Sequence, residues 1–375
     1  MSKPVPAAPP GNRSRFNRFL DAIETAGNKL PDPVFIFIIL CVVILIASWL
    51  AALTGVSAVN PATGETITAV NLLSRANLVR IVEEAIKNFA TFPPLGVVLG
   101  AMIGVGVAEK SGWFETMMKV AVNRAPRALM IPIIFFIGIM GNTAADAAII
   151  VLPPIAALLF MRMGYHPIAG LVTAYAATLG GFAANLTVGL TDVLALTFTA
   201  PAAALLDDSI PLNAAMNYYF IAASTFLLLP LGWWLTVKIT IPRMGSYQPE
   251  AGVVFDEEAH ISPQEQKAMR AANYTLIALL ILLLLLSVPE GAFLRNAETG
   301  SLIEKSPLMN GVVFIIAILF LVPGIVYARI AGTAENGRDI ARMMSESMSG
   351  MGGYIVIVFF AAQMLAFFNW SNLGT

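Results

Sequence analysis

The sequence predicts an all-α, polytopic membrane fold with an inverted repeat, a re-entrant hairpin and a broken transmembrane helix. Of the 375 residues, 58% are hydrophobic and only 12% are charged, whereas a soluble domain usually has about 25% charged residues. Six apolar segments have the length of a single crossing, and two further apolar stretches are interrupted by polar, glycine-rich sequence. A soluble globular protein is therefore excluded.

The six simple crossings each hold about 20 mostly apolar residues, the length that spans the hydrocarbon of a bilayer. The first of them is longer than the hydrophobic region of a cleaved signal peptide, so we expect it to remain in the mature protein. The predicted crossings cover residues 34–54, 91–108, 214–237, 273–289, 310–328 and 350–368.

The apolar stretch 128–161 is too short for two full crossings. The segment Gly141–Asp146 divides it into two limbs of roughly 20 to 30 Å, at about 1.5 Å per helical residue. Arg124 and Arg127 precede the stretch and Arg162 follows it, so both of its ends are expected on one side of the membrane. This pattern predicts a re-entrant hairpin.

The apolar stretch 166–206 is too long for one straight helix. The segment Gly180–Asp192, which contains three glycines, interrupts it near the middle. Backbone groups freed from helical hydrogen bonds survive at membrane depth only inside protein or beside a wet cavity. The stretch is therefore either one broken crossing or a second hairpin.

The distribution of Lys and Arg selects between these alternatives, because short cytoplasmic loops are enriched in both residues. With segment 1–30 in the cytoplasm and one broken crossing, Lys238 and Arg243 are cytoplasmic as well. A second hairpin would place both outside and invert every later loop. We therefore predict a multi-pass protein of a bacterial inner membrane with a cytoplasmic N-terminus, in which segment 251–269 is cytoplasmic and segment 58–68 is periplasmic.

A weak internal repeat relates Leu78–Trp113 to Arg338–Trp370, since each has an amphipathic stretch, a glycine-containing apolar helix and a polar exit with Trp. The predicted topology sends the two apolar helices in opposite directions, which is typical of an inverted repeat. The predicted organisation has a cytoplasmic N-terminal segment, a first transmembrane repeat region, a cytoplasmic linker with a short amphipathic helix at 262–272, and the start of a second transmembrane region. Their bounds are 1–30, 31–244, 245–272 and 273–375.

Charge and motifs exclude two other classes of protein. Lys and Arg number 22 against 23 Asp and Glu, so no basic surface is available to bind a nucleic acid. The chain has no H-E-x-x-H, no G-x-S-x-G and a single cysteine, Cys41, which we expect to face lipid or fill the core. His166 and His260 stand near a membrane boundary and in a loop, so no ligand set for an intramembrane metalloenzyme exists. We therefore predict that the protein is not an enzyme and has no cofactor, and that the lipid bilayer is one of its partners.

Asp146 and Asp192 are set deep inside apolar sequence, where a charge costs several kcal/mol unless it is paired or faces water. Each either caps a helix or belongs to a functional site. Helix N-termini at interruptions attract anions, while unwound carbonyls and side-chain oxygens bind Na⁺. One site can therefore hold both a solute and a coupling ion, Na⁺ or H⁺, and this predicts an inverted-repeat secondary transporter.

The predicted substrate-binding residues are Asn142, Asn185, Asp192 and Trp370, with an interfacial anchor as the alternative role of Trp370. The predicted coupling-ion residues, with Thr187 as a further oxygen donor, are Asn142, Thr143, Asp146, Gly181, Asn185 and Asp192. No metal site is expected other than one for Na⁺.

Three motifs make the chain resemble the AbgT family over nearly its whole length. They are Gly141-Asn142-Thr143-Ala144-Ala145-Asp146 with Leu152-Pro153-Pro154, Gly181-Phe182-Ala183-Ala184-Asn185 through Gly189-Leu190-Thr191-Asp192, and Phe359-Phe360-Ala361-Ala362-Gln363 with Phe368-Asn369-Trp370-Ser371-Asn372. The resemblance implies a homodimeric inner-membrane transporter of p-aminobenzoyl-glutamate and an exporter of sulfonamides, in a fold shared with Na⁺/dicarboxylate carriers. The alternatives are a Na⁺-coupled carrier of dicarboxylates or other organic anions with the same fold, and a channel.

The family pattern also includes a second hairpin, which is absent from this sequence. We count seven crossings, including the broken helix, and one hairpin. The resemblance therefore implies that this chain is a fragment, and that part of the family's site lies in the absent segment.

Overall fold

The computed structural model describes residues 25, 27, 29–59, 66–123, 126–141, 147–204, 212–245, 247 and 261–374. The described helices and strands are α1 (Pro33–Thr54), β1 (Ser57–Val59), β2 (Thr66–Thr68), α2 (Arg75–Ala90), α3 (Pro93–Lys110), α4 (Trp113–Asn123), a 3₁₀ turn (Arg127–Leu129), α5 (Met130–Gly141), α6 (Ala147–Arg162), α7 (Pro167–Gly180), α8 (Leu190–Ala204), α9 (Tyr218–Leu235), a π-helix (Thr236–Thr240), α10 (Ile241–Met244), α11 (Pro263–Ser287), α12 (Pro307–Asn310), α13 (Val312–Ala331), α14 (Gly337–Gly350) and α15 (Gly352–Ser371).

All six predicted crossings are confirmed as helices long and apolar enough to span a membrane. Within the described residues these helices are Pro33–Thr54, Arg75–Lys110, Tyr218–Met244, Pro263–Ser287, Val312–Ala331 and Gly352–Ser371. Two of them, Pro33–Thr54 and Pro263–Ser287, begin with a proline, which lacks the amide hydrogen that a first helical turn leaves unbonded. Hydropathy alone therefore placed every simple crossing.

The predicted short helix at 262–272 is the beginning of α11 and not a separate element. Ser262 Oγ accepts a hydrogen bond of 3.1 Å from the Glu265 amide, and Glu265 Oε2 accepts one of 2.7 Å from the Ser262 amide. This capping box fixes the start of a helix that continues without interruption to Ser287. The predicted end of the linker at residue 272 thus lies inside a helix, and residues 246 and 248–260 lie outside the described part of the chain.

Helices α5 and α6 are short, apolar and in mutual contact, as expected for the two limbs of the predicted hairpin. Helix α7 packs against both limbs. Its Gly170 lies so close to α6 that an added Cβ would come within 2.9 Å of Ala157 Cα. The tip of the hairpin, residues 142–146, is outside the described residues.

Contacts between Cα atoms divide the chain into two compact units. The first contains residues 1–60, 64–89 and 356–375. In it β1 pairs antiparallel with β2, and Cys41 is buried, with its Sγ 3.8 Å from the Phe360 carbonyl oxygen. The buried Gln363 donates to the Ala85 carbonyl at 2.8 Å and accepts from Asn88 Nδ2 at 3.1 Å. Of the two expectations for Cys41, core packing is the one observed.

The second unit contains residues 61–63 and 90–355. Its core includes Trp113, whose ring is fully buried and whose Nε1 donates to Asn273 Oδ1 of α11 at 3.0 Å. Thr116 of α4 and Tyr327 of α13 share a buried hydrogen bond of 2.6 Å. These bonds satisfy polar atoms that burial would otherwise leave unpaired, and so fix α4 against α11 and α13.

The two halves of the predicted repeat have the same order of elements. The amphipathic α2 precedes the apolar α3, and the amphipathic α14 precedes the apolar α15. In each half a break of no more than a few residues separates the two helices. The repeat predicted from the sequence is therefore present at the level of secondary structure.

Candidate functional site

The interruption between α7 and α8 is the feature around which the candidate site forms. Residues 181–189 have no regular helix, as the glycine-rich sequence predicts. Helix α7 packs on α5 and α6, whereas α8 packs on α3 and α13. The two halves of the interrupted stretch therefore pack against different neighbours.

Asn185 holds this loop in its folded shape. Its side chain is 8% exposed, and Oδ1 accepts hydrogen bonds from the Leu186 amide at 2.8 Å and from the amide and hydroxyl of Thr187 at 3.2 and 3.1 Å. Helix α9 anchors the loop from the other side, since the Tyr218 hydroxyl donates to the Leu186 carbonyl at 3.2 Å. The Asn185 amide also donates to the Ile221 carbonyl at 3.4 Å. Asn185 is thus a structural centre of the interruption.

Asp192 lies in the first turn of α8 and is partly exposed. The predicted interruption extends to Asp192, but the helix already begins at Leu190, so Asp192 is its third residue. Its Oδ2 accepts a hydrogen bond of 2.8 Å from the Gly189 amide, which precedes the helix. A carboxylate at this position satisfies an unbonded amide and interacts favourably with the helix dipole. The capping role considered for Asp192 is therefore present in the structure.

Three polar side chains meet at Gly189. A Cβ added there would lie 3.7 Å from Asp192 Oδ2, 3.8 Å from Thr191 Oγ1 and 3.9 Å from Asn185 Nδ2. We call these four residues the Gly189 cluster. It places a carboxylate, a hydroxyl and an amide around one point at the N-terminus of α8. Two predicted residues, Asn185 and Asp192, are therefore brought together, although the loop separates them in sequence.

Thr191 is a member of this cluster that the sequence reasoning did not select. It immediately precedes Asp192, and its hydroxyl oxygen is a hard donor of the kind already sought among Asn and Thr side chains. Its position next to Asp192 is the feature of the sequence by which it could have been selected.

Gly181 has a packing role in the structure. An added Cβ would lie 2.6 Å from both Ile139 Cγ1 of α5 and the Ala177 carbonyl oxygen, so only glycine fits against the hairpin limb. Its carbonyl accepts from the Ala184 amide at 2.9 Å. The assignment of Gly181 to the coupling ion stays a prediction.

The other predicted site residues are placed as follows. Asn142, Thr143 and Asp146 lie outside the described residues. Trp370 belongs to the first unit, where the Arg80 guanidinium carbon lies 4.1 Å from its ring centroid and Phe367 stacks at a tilt, 6.0 Å away. A guanidinium over an indole face is attracted by the ring quadrupole. These contacts give Trp370 a packing role, and its role in substrate binding stays a prediction.

Within the residues that the structure describes, no three His, Cys, Asp or Glu side chains group together in a way that could hold a metal ion. Oxygen donors of the Gly189 cluster suit an alkali cation or a proton better than a transition metal.

Comparison with known proteins identifies the family. Residues 18–375 match the family described as AbgT putative transporter family. The chain belongs to the AbgT family. It is therefore a membrane transporter and not an enzyme, as the sequence predicted.

Individual AbgT relatives agree with this assignment. The p-aminobenzoyl-glutamate transport protein of Escherichia coli K12 is 33% identical over 362 residues, which cover 96% of this chain and 70% of that protein. The crystal structure of the YdaH transporter of Alcanivorax borkumensis, described as revealing an unusual topology, matches with a TM-score of 0.81 and 38% identity, over 92% of this chain and 71% of that one.

MtrF of Neisseria gonorrhoeae is a further structural relative, described as illuminating a class of antimetabolite efflux pumps. It matches with a TM-score of 0.84 and 40% identity, over 95% of this chain and 72% of that one. These two structures confirm the fold predicted for the chain, that of a polytopic helical AbgT transporter.

Proposed function

We propose that this AbgT protein is an ion-coupled secondary transporter of p-aminobenzoyl-glutamate or of sulfonamide-type aromatic anions. It acts across a bacterial inner membrane as a homodimer, with its N-terminus in the cytoplasm and with Na⁺ or H⁺ as the coupling ion. The names of its relatives support the substrate class, since one is named for p-aminobenzoyl-glutamate transport and another for antimetabolite efflux. The observation that carries the proposal is the Gly189 cluster at the start of α8.

The chemistry of the cluster suits both solutes. The amides at the N-terminus of α8 and the positive end of its dipole favour a carboxylate or sulfonamide anion. The Asp192 carboxylate and the Thr191 hydroxyl are oxygen donors for Na⁺, and the carboxylate alone is an acceptor for a proton. The anion and the cation would therefore bind side by side and reduce each other's electrostatic cost.

Magnitudes indicate why such binding would be reversible. A carboxylate near the bilayer centre costs about 2.5 to 3.5 kcal/mol on insertion scales. A hydrogen bond to a charged group contributes about 1.5 to 3 kcal/mol, and the Gly189 amide makes one to Asp192. A coupling cation must compete with this bond for the carboxylate, so it binds without being trapped, as transport requires.

The charge on Asp192 is the property to test. Asp192→Asn keeps the size of the side chain and an oxygen that can accept from Gly189, but it removes the charge. We expect the variant, purified as the complete protein, to insert and fold normally in proteoliposomes and to lose accumulation of p-aminobenzoyl-glutamate or sulfonamide driven by a Na⁺ or pH gradient. Its remaining uptake should depend less on Na⁺ or on pH.

Asp339→Asn is the matched control. Asp339 is also the third residue of its helix, α14, and its Oδ2 also accepts from amides that precede the helix, those of Glu335 at 2.9 Å and Asn336 at 3.2 Å. It lies outside the apolar segments, so its variant should keep ion-driven uptake. Normal, ion-dependent uptake by Asp192→Asn would remove Asp192 from the mechanism and leave Asn142 and Asn185 as candidates.

The same assay separates the alternative functions. Saturable uptake of dicarboxylates without uptake of aromatic anions would identify a dicarboxylate carrier, and conductance without saturation would identify a channel. Recovery of monomer alone after chemical crosslinking of the complete protein in mild detergent would contradict the homodimer.

A further inference from the structure

An apolar crevice of about 350 Å³ lies in the second unit, between the hairpin limb α5, helix α7 and the helix that comprises α9 and the π-helix. This volume is at the lower end of the range for ligand pockets, about 300 to 1,000 Å³. Its polar lining side chains are threonines, and the hydroxyls of Thr173 and Thr236 already lie 3.4 Å apart within hydrogen-bonding reach of each other. The crevice therefore suits a ligand portion without charge.

Two local features of the sequence shape the crevice. Gly232 has no side chain, so the Phe135 ring of α5 packs directly against its backbone, where a Cβ would collide with the ring. Further along, Pro242 has no amide hydrogen to donate one turn back, and the preceding turn widens into the π-helix Thr236–Thr240. The Ile241 amide accordingly donates to the Thr236 carbonyl, five residues back. A π-helical turn is rare and is frequently found at functional sites.

The crevice opens toward the face of the protein that lipid would cover. Among its lining residues, Val172 is 42% exposed, Leu231 44%, Leu235 39% and Ile239 37%. All four are apolar, belong to apolar helices and are exposed in the part of the chain that the structure describes, so this face favours contact with hydrocarbon over contact with water. An aqueous ligand would have to cross the acyl region to enter.

The length of the crevice matches one leaflet. Along α7 it extends from Val172 to Gly181, about 13 to 14 Å at 1.5 Å per residue. The hydrocarbon core of a bilayer is about 30 Å thick, so one leaflet contributes about 15 Å. A single acyl chain therefore has the right extent and chemistry.

Two cations lie beyond one end of the crevice. Ile239 and Thr240 line that end, Lys238 is in the same π-helix, and Arg243 follows Thr240 by three residues, on α10, which contacts α7. Both cationic side chains are exposed, and neither forms an ion pair with any residue that the structure describes. The exposed Trp233 and Trp234 precede Lys238 by about one turn, as is common where a helix meets the headgroup region.

We propose that this crevice binds one acyl chain of an anionic phospholipid, whose phosphate is held by Lys238 and Arg243. Basic pockets between transmembrane helices recognise acidic headgroups by this combination of charge and groove. The far end of the crevice is lined by Gly180 and Gly181, where α7 stops before the Gly189 cluster. The bound acyl chain thus packs against the interrupted segment at the point where the helical backbone of α7 ends.

The test measures binding of lipid to the purified full chain in mild detergent by native mass spectrometry. The probes are phosphatidylglycerol and phosphatidylcholine with identical acyl chains. We expect tighter binding of phosphatidylglycerol, and a loss of about fivefold in its affinity for each of Lys238→Gln and Arg243→Gln. Affinity for phosphatidylcholine should not change. Lys267→Gln, which removes an exposed charge on α11, is the control for net charge.

A second pair of variants tests the crevice itself. Ala176→Phe fills it and should weaken binding of both lipids, whereas Ala223→Phe adds the same ring at an exposed position of α9 that does not line it and should bind like the wild type. If Ala176→Phe does not fold, Val172→Phe, at an exposed lining position, replaces it.

Equal affinity for the two lipids would overturn the role of the cations. Unchanged lipid binding by a folded crevice-filling variant would show that the acyl chain binds elsewhere on the protein. Displacement of bound phosphatidylglycerol from the wild type by a sulfonamide, with loss of that displacement in Ala176→Phe, would instead assign the crevice to a transported compound. Each of these outcomes is separable from the Asp192→Asn transport assay, because lipid binding requires no ion gradient.

Discussion

The contact between α3 and α13 depends on the absence of a side chain at Gly104. A Cβ there would lie 2.6 Å from the carbonyl carbon and 2.7 Å from the Cα of Ala317, and closer still to the carbonyl oxygen. Gly324 makes the reciprocal approach, since its Cβ would lie 2.9 Å from the Ala108 Cα. Close backbone approach at small residues is the main means by which membrane helices associate, because lipid provides no hydrophobic driving force.

Gly104→Ala should therefore destabilise the protein by a calculable route. Ordinary van der Waals contact begins at 3.4 Å, so α13 must retreat by more than about 0.8 Å, the shortfall at the carbonyl carbon, because the carbonyl oxygen lies closer still. A gap of 0.5 to 1 Å forfeits about a quarter to a half of the dispersion energy of each contact that it opens. We expect a loss of about 1 to 3 kcal/mol in the free energy of unfolding, the usual range for overpacked cores.

Gly100→Ala is the matched control, one turn earlier on the same face of α3. Its Cβ would lie 3.9 Å from Val313 Cγ1, an ordinary contact. Alanine also restricts the unfolded chain, so this variant should equal or exceed the wild type by up to about 1 kcal/mol. The two variants are compared by their free energies of unfolding, measured by SDS titration in mixed micelles. Equal stability of Gly104→Ala and Gly100→Ala would refute the close packing of α3 on α13.

Two further predictions concern topology and pH. In a background without Cys41, a membrane-impermeant thiol reagent added outside intact cells should modify Thr66→Cys and spare Lys267→Cys, since the charge bias places residue 66 in the periplasm and residue 267 in the cytoplasm; the reverse pattern would invert the topology. Backbone amides of Glu335 and Asn336, with Arg342 and Arg329 nearby, hold the pKa of the Asp339 carboxyl below its usual range, so its stabilising contribution should be complete at neutral pH and be lost as the pH falls below about 4. The difference in unfolding temperature between the wild type and Asp339→Asn should accordingly shrink from pH 7 to pH 3, and a constant difference would contradict the role of the charge.

The sequence by itself determined the elements that cross or enter the membrane. A segment of about 20 apolar residues has one favourable arrangement in a bilayer, a helix that satisfies its own backbone. For this reason all six simple crossings, the limbs at 128–161 and the break after Gly180 followed from composition alone. The motifs around Asn185 and Asp192 likewise indicated the AbgT family before any comparison.

Helix boundaries that depend on side-chain hydrogen bonds were harder to predict from the sequence. The amphipathic pattern at 262–272 indicated a helix, but hydropathy does not report that it continues into the next crossing. The Ser262–Glu265 capping box starts one continuous helix, and α8 starts at Leu190 because Asp192 satisfies the Gly189 amide. In both cases a side chain three residues away decides where the helix begins. A mean hydropathy over a long window does not detect such a contact.

Only the tertiary structure decided which side chains meet. Asn185, Thr191 and Asp192 come together at Gly189 because hydrogen bonds between the loop and α9 hold the loop in its folded shape. The crevice lies where the Phe135 ring packs on Gly232 and a π-turn widens the helix before Pro242. Hydrophobic periodicity records how each helix faces its surroundings, but contacts between helices far apart in sequence depend on shape, and shape is settled only when the helices pack.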